Sequence, residues 1–193
     1  MKSLMAIVLA VSTLMLLSCG LRSQERSWQE EVRLSDGQIV RAERRERYRT
    51  GSEIGGTGGD MQRESAELRV TLASGHQLPV LKIGDGKNSE LLMVFDVAQE
   101  SGPEYFAVTM VDHEYQVKEA GLDIQRPYFE YRLLDGVWSR GRVLRARLGH
   151  KSNLLISRSL VAHGGLISIS SKEEADSDPG IYAEYKCVRG PRC

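Results

Sequence analysis

The feature that most constrains this chain is the way short apolar runs alternate with turn residues. Ile181, Ala183, Tyr185 and Cys187 alternate with Tyr182, Glu184 and Lys186, the period of two expected of a strand with one buried face. Leu68, Val70 and Leu72 repeat the pattern, as do Phe129, Tyr131 and Leu133. Between such runs stand Ser35-Asp36-Gly37, Ala73-Ser74-Gly75-His76, Gly84-Asp85-Gly86-Lys87-Asn88 and Leu134-Asp135-Gly136, compositions that reverse a chain. About nine or ten short strands follow, with a turn signal roughly every 8–15 residues. The fold class is mainly β: an antiparallel sheet, sandwich or open barrel, with one or two short helices.

Individual segments carry finer expectations. Trp28, Val32 and Leu34 share one face of a first strand, and Gln38-Ile39-Val40 returns after the Asp36-Gly37 turn. A two-residue loop pairs Leu34 with Ile39 and a three-residue loop pairs Val32 with Val40, and both fit. Further along, Arg41, Arg45, Arg47 and Arg49 line one face, with Ala42 and Tyr48 on the other. Leu91 to Phe95 and Tyr105 to Val111 are continuously or largely apolar, as expected of central strands buried on both faces. Gln77 to Ile83 and Leu166 to Ser170 read as strands, and Asn153 to Val161 fits either strand or helix. A short helix is expected over Asp112 to Gly121, and Ser171 with Glu174 offers a capping box for one more helical turn. Trp138 is placed to pack on Phe129, Tyr131 and Leu133 across a hairpin.

The N-terminus is of a different kind. Met1-Lys2 is followed by an apolar run from Leu4 to Leu17, broken only by Ser12 and Thr13. That run is shorter than the ~20 residues needed to span a bilayer, and matches the apolar core of a secretory signal. It ends in Leu16-Leu17-Ser18-Cys19, which resembles the lipobox of bacterial lipoproteins. The resemblance implies a signal peptide over residues 1–18, cleavage before Cys19, a diacylglyceryl group on its sulfur and an acylated amino group. Leu17 is bulkier than the residue usual at its place. Gly20 stands where those lipoproteins carry Asp for inner-membrane retention, so the resemblance implies the periplasmic face of the outer membrane. Residues 19–27 then read as a polar tether and 28–193 as one β-rich domain. Trp28, Glu30 to Val32, Leu34, Asp36-Gly37 and Ile39-Val40, with Arg126-Pro127-Tyr128-Phe129-Glu130-Tyr131 and Trp138, also resemble a group of uncharacterised proteobacterial envelope proteins. That likeness covers turns and core residues and implies no activity.

Charge narrows the partners. The chain has 26 basic and 26 acidic side chains, and loss of Lys2 with the signal leaves a mature net charge of about −1, which disfavours nucleic acid as a partner. After lipidation of Cys19, Cys187 and Cys193 remain as an even pair in an oxidising compartment, a possible disulfide. Neither a redox nor a zinc spacing is present, and no metal or cofactor is expected.

Chemistry-bearing residues are sparse. His76, His113, His150 and His163 are far apart, so ligation or catalysis would require the fold to bring them together. Asp112-His113-Glu114 sets an imidazole between carboxylates, but neighbouring residues splay on a strand or a helix. Glu30-Glu31 and Glu173-Glu174 are adjacent pairs that read as solvated surface. The strongest deviation is in arginine. One group is Arg41, Arg44, Arg45, Arg47 and Arg49; the other is Arg140, Arg142, Arg145, Arg147, Lys151 and Arg158, in a stretch without Asp or Glu from Val137 to Ser171. Guanidinium groups match phosphate and carboxylate, so residues 140–158 are a candidate surface for anionic lipid, lipopolysaccharide or an acidic partner. The leading expectation is a non-catalytic, lipid-anchored binding module for an envelope protein or component. An envelope hydrolase with a site assembled from distant residues is the alternative, as is polyanion binding through residues 140–158.

Overall fold

The structure, a computed structural model, describes residues 22–50, 61–84, 90–98, 104–111, 113–155, 161, 165–176 and 186–188. The first sheet holds β1 (Arg22–Arg33), β2 (Ile39–Thr50), β3 (Met61–Thr71), β4 (Leu81–Ile83) and β9 (Leu166–Ile167), in the order β4-β3-β2-β1-β9. The second holds β5 (Glu90–Ala98), β6 (Glu104–Val111), β7 (Tyr128–Leu134) and β8 (Val137–Arg142), in that order. All pairings are antiparallel except β9 on β1. Two short helices, α1 (Glu114–Glu119) and α2 (Ile169–Asp176), and a 3-10 turn at Arg145–Arg147 complete the elements named among the described residues. The β-dominated class read from the alternation is the observed one, as a two-sheet sandwich.

Turn chemistry sets the registers. Val32 pairs with Val40, and Leu34 and Gln38 close the loop with Gly37 at φ +87°. The three-residue option therefore holds, with glycine in the left-handed region that a side chain disfavours. Asp135 at φ 50° and Gly136 at φ 78° make the two-residue turn between β7 and β8, and it sets Trp138 opposite Leu133 as expected.

Between the sheets, Val32, Leu34, Val40, Ala42, Leu68 and Val70 meet Leu92, Phe95, Val97, Ala107 and Phe129. A second apolar layer lies on the outer face of β5, β6 and β7, where Leu91, Met93, Phe106, Val108, Met110 and Tyr128 are covered by Leu148 and Val188. The covering strap is tied down by backbone bonds, among them Leu154 N–H to Met93 O (3.2 Å) and Val188 N–H to His150 O (2.9 Å). This is why β5 is buried along its whole length. It was expected as a central strand, yet it ends its sheet in the described pairing, and burial comes from the strap.

Four further expectations are corrected. The polar stretch Leu21 to Ser27 reads from its sequence as part of a tether, but β1 starts at Arg22 and pairs Arg22 to Ser27 with Thr50 to Arg45. Its ladder is made by backbone groups, which leave no hydropathic trace. Of Gln77 to Ile83 only Leu81–Ile83 is a named strand, and of Leu166 to Ser170 only Leu166–Ile167. The expected capping box at Ser171 is displaced, because α2 begins at Ile169 and the Ser168 hydroxyl accepts the Ser171 N–H at 3.2 Å. Of the expected last strand, residues 181–185 lie outside the described residues, as does most of the segment from Asn153 to Val161. Cys187 forms an antiparallel bridge with Lys151.

β1 begins, β2 ends, β3 begins, β5 begins, β6 ends and β7 begins at one end of the sandwich. Arg63 Nη1 donates to Glu90 O there (3.1 Å) and ties the sheets together. Helix α1 crosses that end with Val117 in the core and Ala120 and Leu122 packed against that core.

Candidate functional site

The most concentrated chemistry lies inside the first sheet. Even-numbered residues of β2 face inward, so Arg44, Glu46 and Tyr48 follow Val40 and Ala42 into the interior, where all three are at most 2% exposed. Glu30 on β1 and Arg63 on β3 flank them. Arg44 Nη2 donates to Glu46 Oε1 at 2.6 Å and Nη1 lies 3.5 Å from Glu30 Oε1. Arg63 Nε stands 3.2 Å from Glu46 Oε2, which also accepts the Tyr48 hydroxyl. The guanidinium of Arg44 lies 4.7 Å from the Trp28 ring centre, and Arg26 and Arg63 each lie 5.6 Å from that of Tyr48.

Lys172 of α2 closes the cluster from outside. Its ammonium donates to Glu30 Oε2 (3.1 Å), Asn153 O (2.7 Å) and Glu31 O. Three protons on three acceptors leave no lone pair for attack on a substrate. Burial works against ionisation of Glu46, but Arg44, Arg63 and the Tyr48 hydroxyl outweigh it and hold its pKa at about 2. The group is therefore an anion at any physiological pH.

A second row crosses the inner face of the other sheet. Glu90 Oε2 accepts Thr109 Oγ1 (2.7 Å) and Tyr131 Oη (2.9 Å), and its Oε1 accepts Arg140 Nη1 (3.1 Å). Burial, then Glu90, push the Tyr131 hydroxyl above its usual pKa, so it remains a donor. Arg140 also lies over Phe129, at 4.5 Å from its centre.

The arginine-rich surface is less free than its sequence suggests. Arg140 is held by Glu90. Arg147 is largely buried, 3.9 Å from the Phe106 centre and 3.5 Å from Glu130 Oε1. Arg142 donates to Gly121 O (3.0 Å) yet stays exposed, and Arg145 and Lys151 are exposed. Two of the five candidate cations are thus spent on buried acids, and Arg158 lies outside the described residues. In the first group Arg44 is buried, while Arg45 and Arg47 flank Glu25 and Arg49 meets Glu64 at 2.6 Å. Glu30, read as solvated surface, is wholly buried, and Glu31 caps α2 by accepting the Ile169 N–H (3.2 Å). Glu173 and Glu174 are exposed, as read.

The histidines do not converge among the described residues. His76 and His113 are exposed, and His113 stacks on Tyr115 with centres 5.6 Å apart. His150 Nδ1 stands 3.6 Å from Asp96 Oδ2, with its ring edge-on to Phe106. Burial tends to raise the Asp96 pKa, but hydrogen bonds from His150 and from the Ser35 and Val97 N–H groups bring it below its ordinary value. Ser35 sits on the Asp96 side and its hydroxyl donates to Val97 O (3.3 Å). A relay needs the imidazole between hydroxyl and carboxylate, and here the carboxylate stands in the middle. His163 lies outside the described residues. No group of three or more His, Cys, Asp or Glu able to hold a metal occurs among the described residues.

A cavity of about 120 Å³ beside Lys172 is lined by Arg33, Ser152 to Leu155, Ile169 and Glu173, below the ~300 Å³ of common ligand pockets. A wider open groove of about 640 Å³ runs past His76 to Val80, Tyr105, Leu133 and the Asp135-Gly136 turn. Cys187 is disulfide-bonded; Cys193, its expected partner, and Cys19 lie outside the described residues. No described helix is long and apolar enough to cross a membrane.

The buried ionic cluster is what the sequence reading missed. The signal was strand parity: Arg44 and Glu46 share the face of Ala42 and Tyr48. No protein-family model, no curated protein and no solved structure matches the chain.

Proposed function

We propose that the chain is a lipid-anchored protein of the cell envelope, held by Cys19 at the periplasmic face of the outer membrane, whose β domain is a non-catalytic binding module for an envelope protein or component. The observation that carries this reading is the Leu16-Leu17-Ser18-Cys19 motif at the end of a charged-then-apolar leader of signal length. The domain's chemistry supports it: Glu30, Arg44, Glu46, Lys172, Glu90, Arg140, Glu130 and Arg147 tie strands, strap and helix together, and none of them is arranged around a reacting atom. Tethering to a membrane raises the effective concentration of a module against its neighbours without new contacts.

The test is crosslinking in intact cells with an affinity tag after Cys193, beside a Cys19→Ala control. One envelope protein captured with the native chain and lost from the control is the expected result. Equal capture by the control removes tethering from the mechanism, and membrane retention of the control removes the anchor.

A further inference from the structure

Because β1 starts at Arg22, the anchor leaves the domain little freedom. Only Gly20 and Leu21 separate Cys19 from the strand. An extended chain spans at most ~3.6 Å per residue, so the sheet begins within roughly 11 Å of the lipid-bearing residue. The end of the sandwich where β1 begins therefore faces the bilayer, and the Asp36-Gly37 and Asp135-Gly136 turns point away from it.

Helix α1 and the turn after it lie across that same end. They expose Tyr115 at 60% and Ile124 at 47%. Tyrosine, with an apolar ring and a polar tip, suits the headgroup level of a membrane. Charges nearby are partly paired: Glu114 with Lys118 at 2.8 Å, Arg49 with Glu64 at 2.6 Å, and Arg45 and Arg47 sharing Glu25 at 3.4 and 3.8 Å. Ion pairs this exposed are screened within ~8 Å at physiological salt, so the contact rests on Tyr115 and Ile124 rather than on lipid charge.

Resting on the lipid-anchor reading, we propose that this end of the domain lies on the phospholipid headgroup layer, with Tyr115 and Ile124 among the headgroups. The orientation would leave the opposite end, with the groove between Pro79 and Leu133, open to the periplasm. The partner is the membrane that holds the lipid, and its contact fixes which surface is free.

The test uses full-length lipidated protein in phosphatidylcholine vesicles containing nitroxide-headgroup lipid. Ile124→Cys and Val137→Cys variants carry a thiol-linked fluorophore, with identically treated wild type as background; Val137 is 67% exposed at the far end. Mass spectrometry of the same samples first establishes the acyl groups on Cys19. The expected result is loss of most emission at residue 124 and none at 137, unchanged by added salt. Equal quenching at both positions, stronger quenching at 137, none at either, or quenching at 124 abolished by salt overturns the proposal while the anchor stands. Absence of the acyl groups refutes the anchor itself and is read from the mass alone.

Discussion

At the end of the sandwich near the β1–β2 turn, Leu34, Val40, Phe95 and Val97 fill the space between the sheets. At the other end the same strands carry Glu30, Arg44, Glu46, Tyr48 and Arg63 inward, against Glu90, Thr109 and Tyr131. Both regions are buried, yet they are held differently. Apolar packing is non-directional and tolerates a change of shape. Buried ions are costly to desolvate and are stable only while their partners are in place. The apolar end should therefore yield gradually to substitution, whereas the ionic end should fail as a unit.

Five measurements would break or sharpen that contrast. The largest effect is expected at Arg44, where Arg44→Ala leaves Glu30 and Glu46 short of a cation and should cost ~3–5 kcal/mol in urea unfolding. If the ions act as a unit, Arg44→Met with Glu46→Leu should cost much less than the two single changes added together. Additive losses would mean that the cluster is a set of independent pairs. At the apolar end Leu34→Ala should cost about 3 kcal/mol, with little coupling to Arg44.

Acid should separate the two ends more finely. The Glu46 pKa is depressed to about 2 from an ordinary 4.5, so its contribution is complete above the unfolded value and disappears as pH falls through the folded one. The difference amounts to about 3 kcal/mol. Native chain should lose that stability between about pH 4.5 and 2, and Glu46→Gln should flatten this part of the curve. An unchanged curve would assign acid sensitivity to other carboxylates. The smallest effect is expected at the surface: Lys118→Ala removes an exposed pair on α1 and should leave the unfolding midpoint nearly unchanged, with any loss visible only at low salt.

What the sequence disclosed and what it concealed follow from how each end is built. Apolar alternation and turn residues marked the hairpins from Val32 to Val40 and from Phe129 to Trp138, because hydropathy and left-handed turn positions are local properties. The ionic cluster was hidden because Glu30, Arg44 and Lys172 read as surface residues until strand pairing and α2 place them side by side. Parity alone put Arg44 and Glu46 inward, but their charge argued for water, and only a long-range partner reverses that argument. Arg140 and Arg147 were concealed for the same reason: their acids, Glu90 and Glu130, are 50 and 17 positions away in the chain. Part of the candidate anion surface thus became internal bracing.

The strap over the outer face of the second sheet has a temporal consequence. Val188, wholly buried against β5 and β6, follows every named strand in chain order. A chain emerging N-terminus first would leave Leu91, Met93, Phe106 and Val108 only partly covered, by the strap around Leu148, until residues 186–188 arrive. Final closure of the second core therefore waits for residues 186–188. Chains that stop before Val188 should be sticky intermediates, drawn to chaperones or to one another.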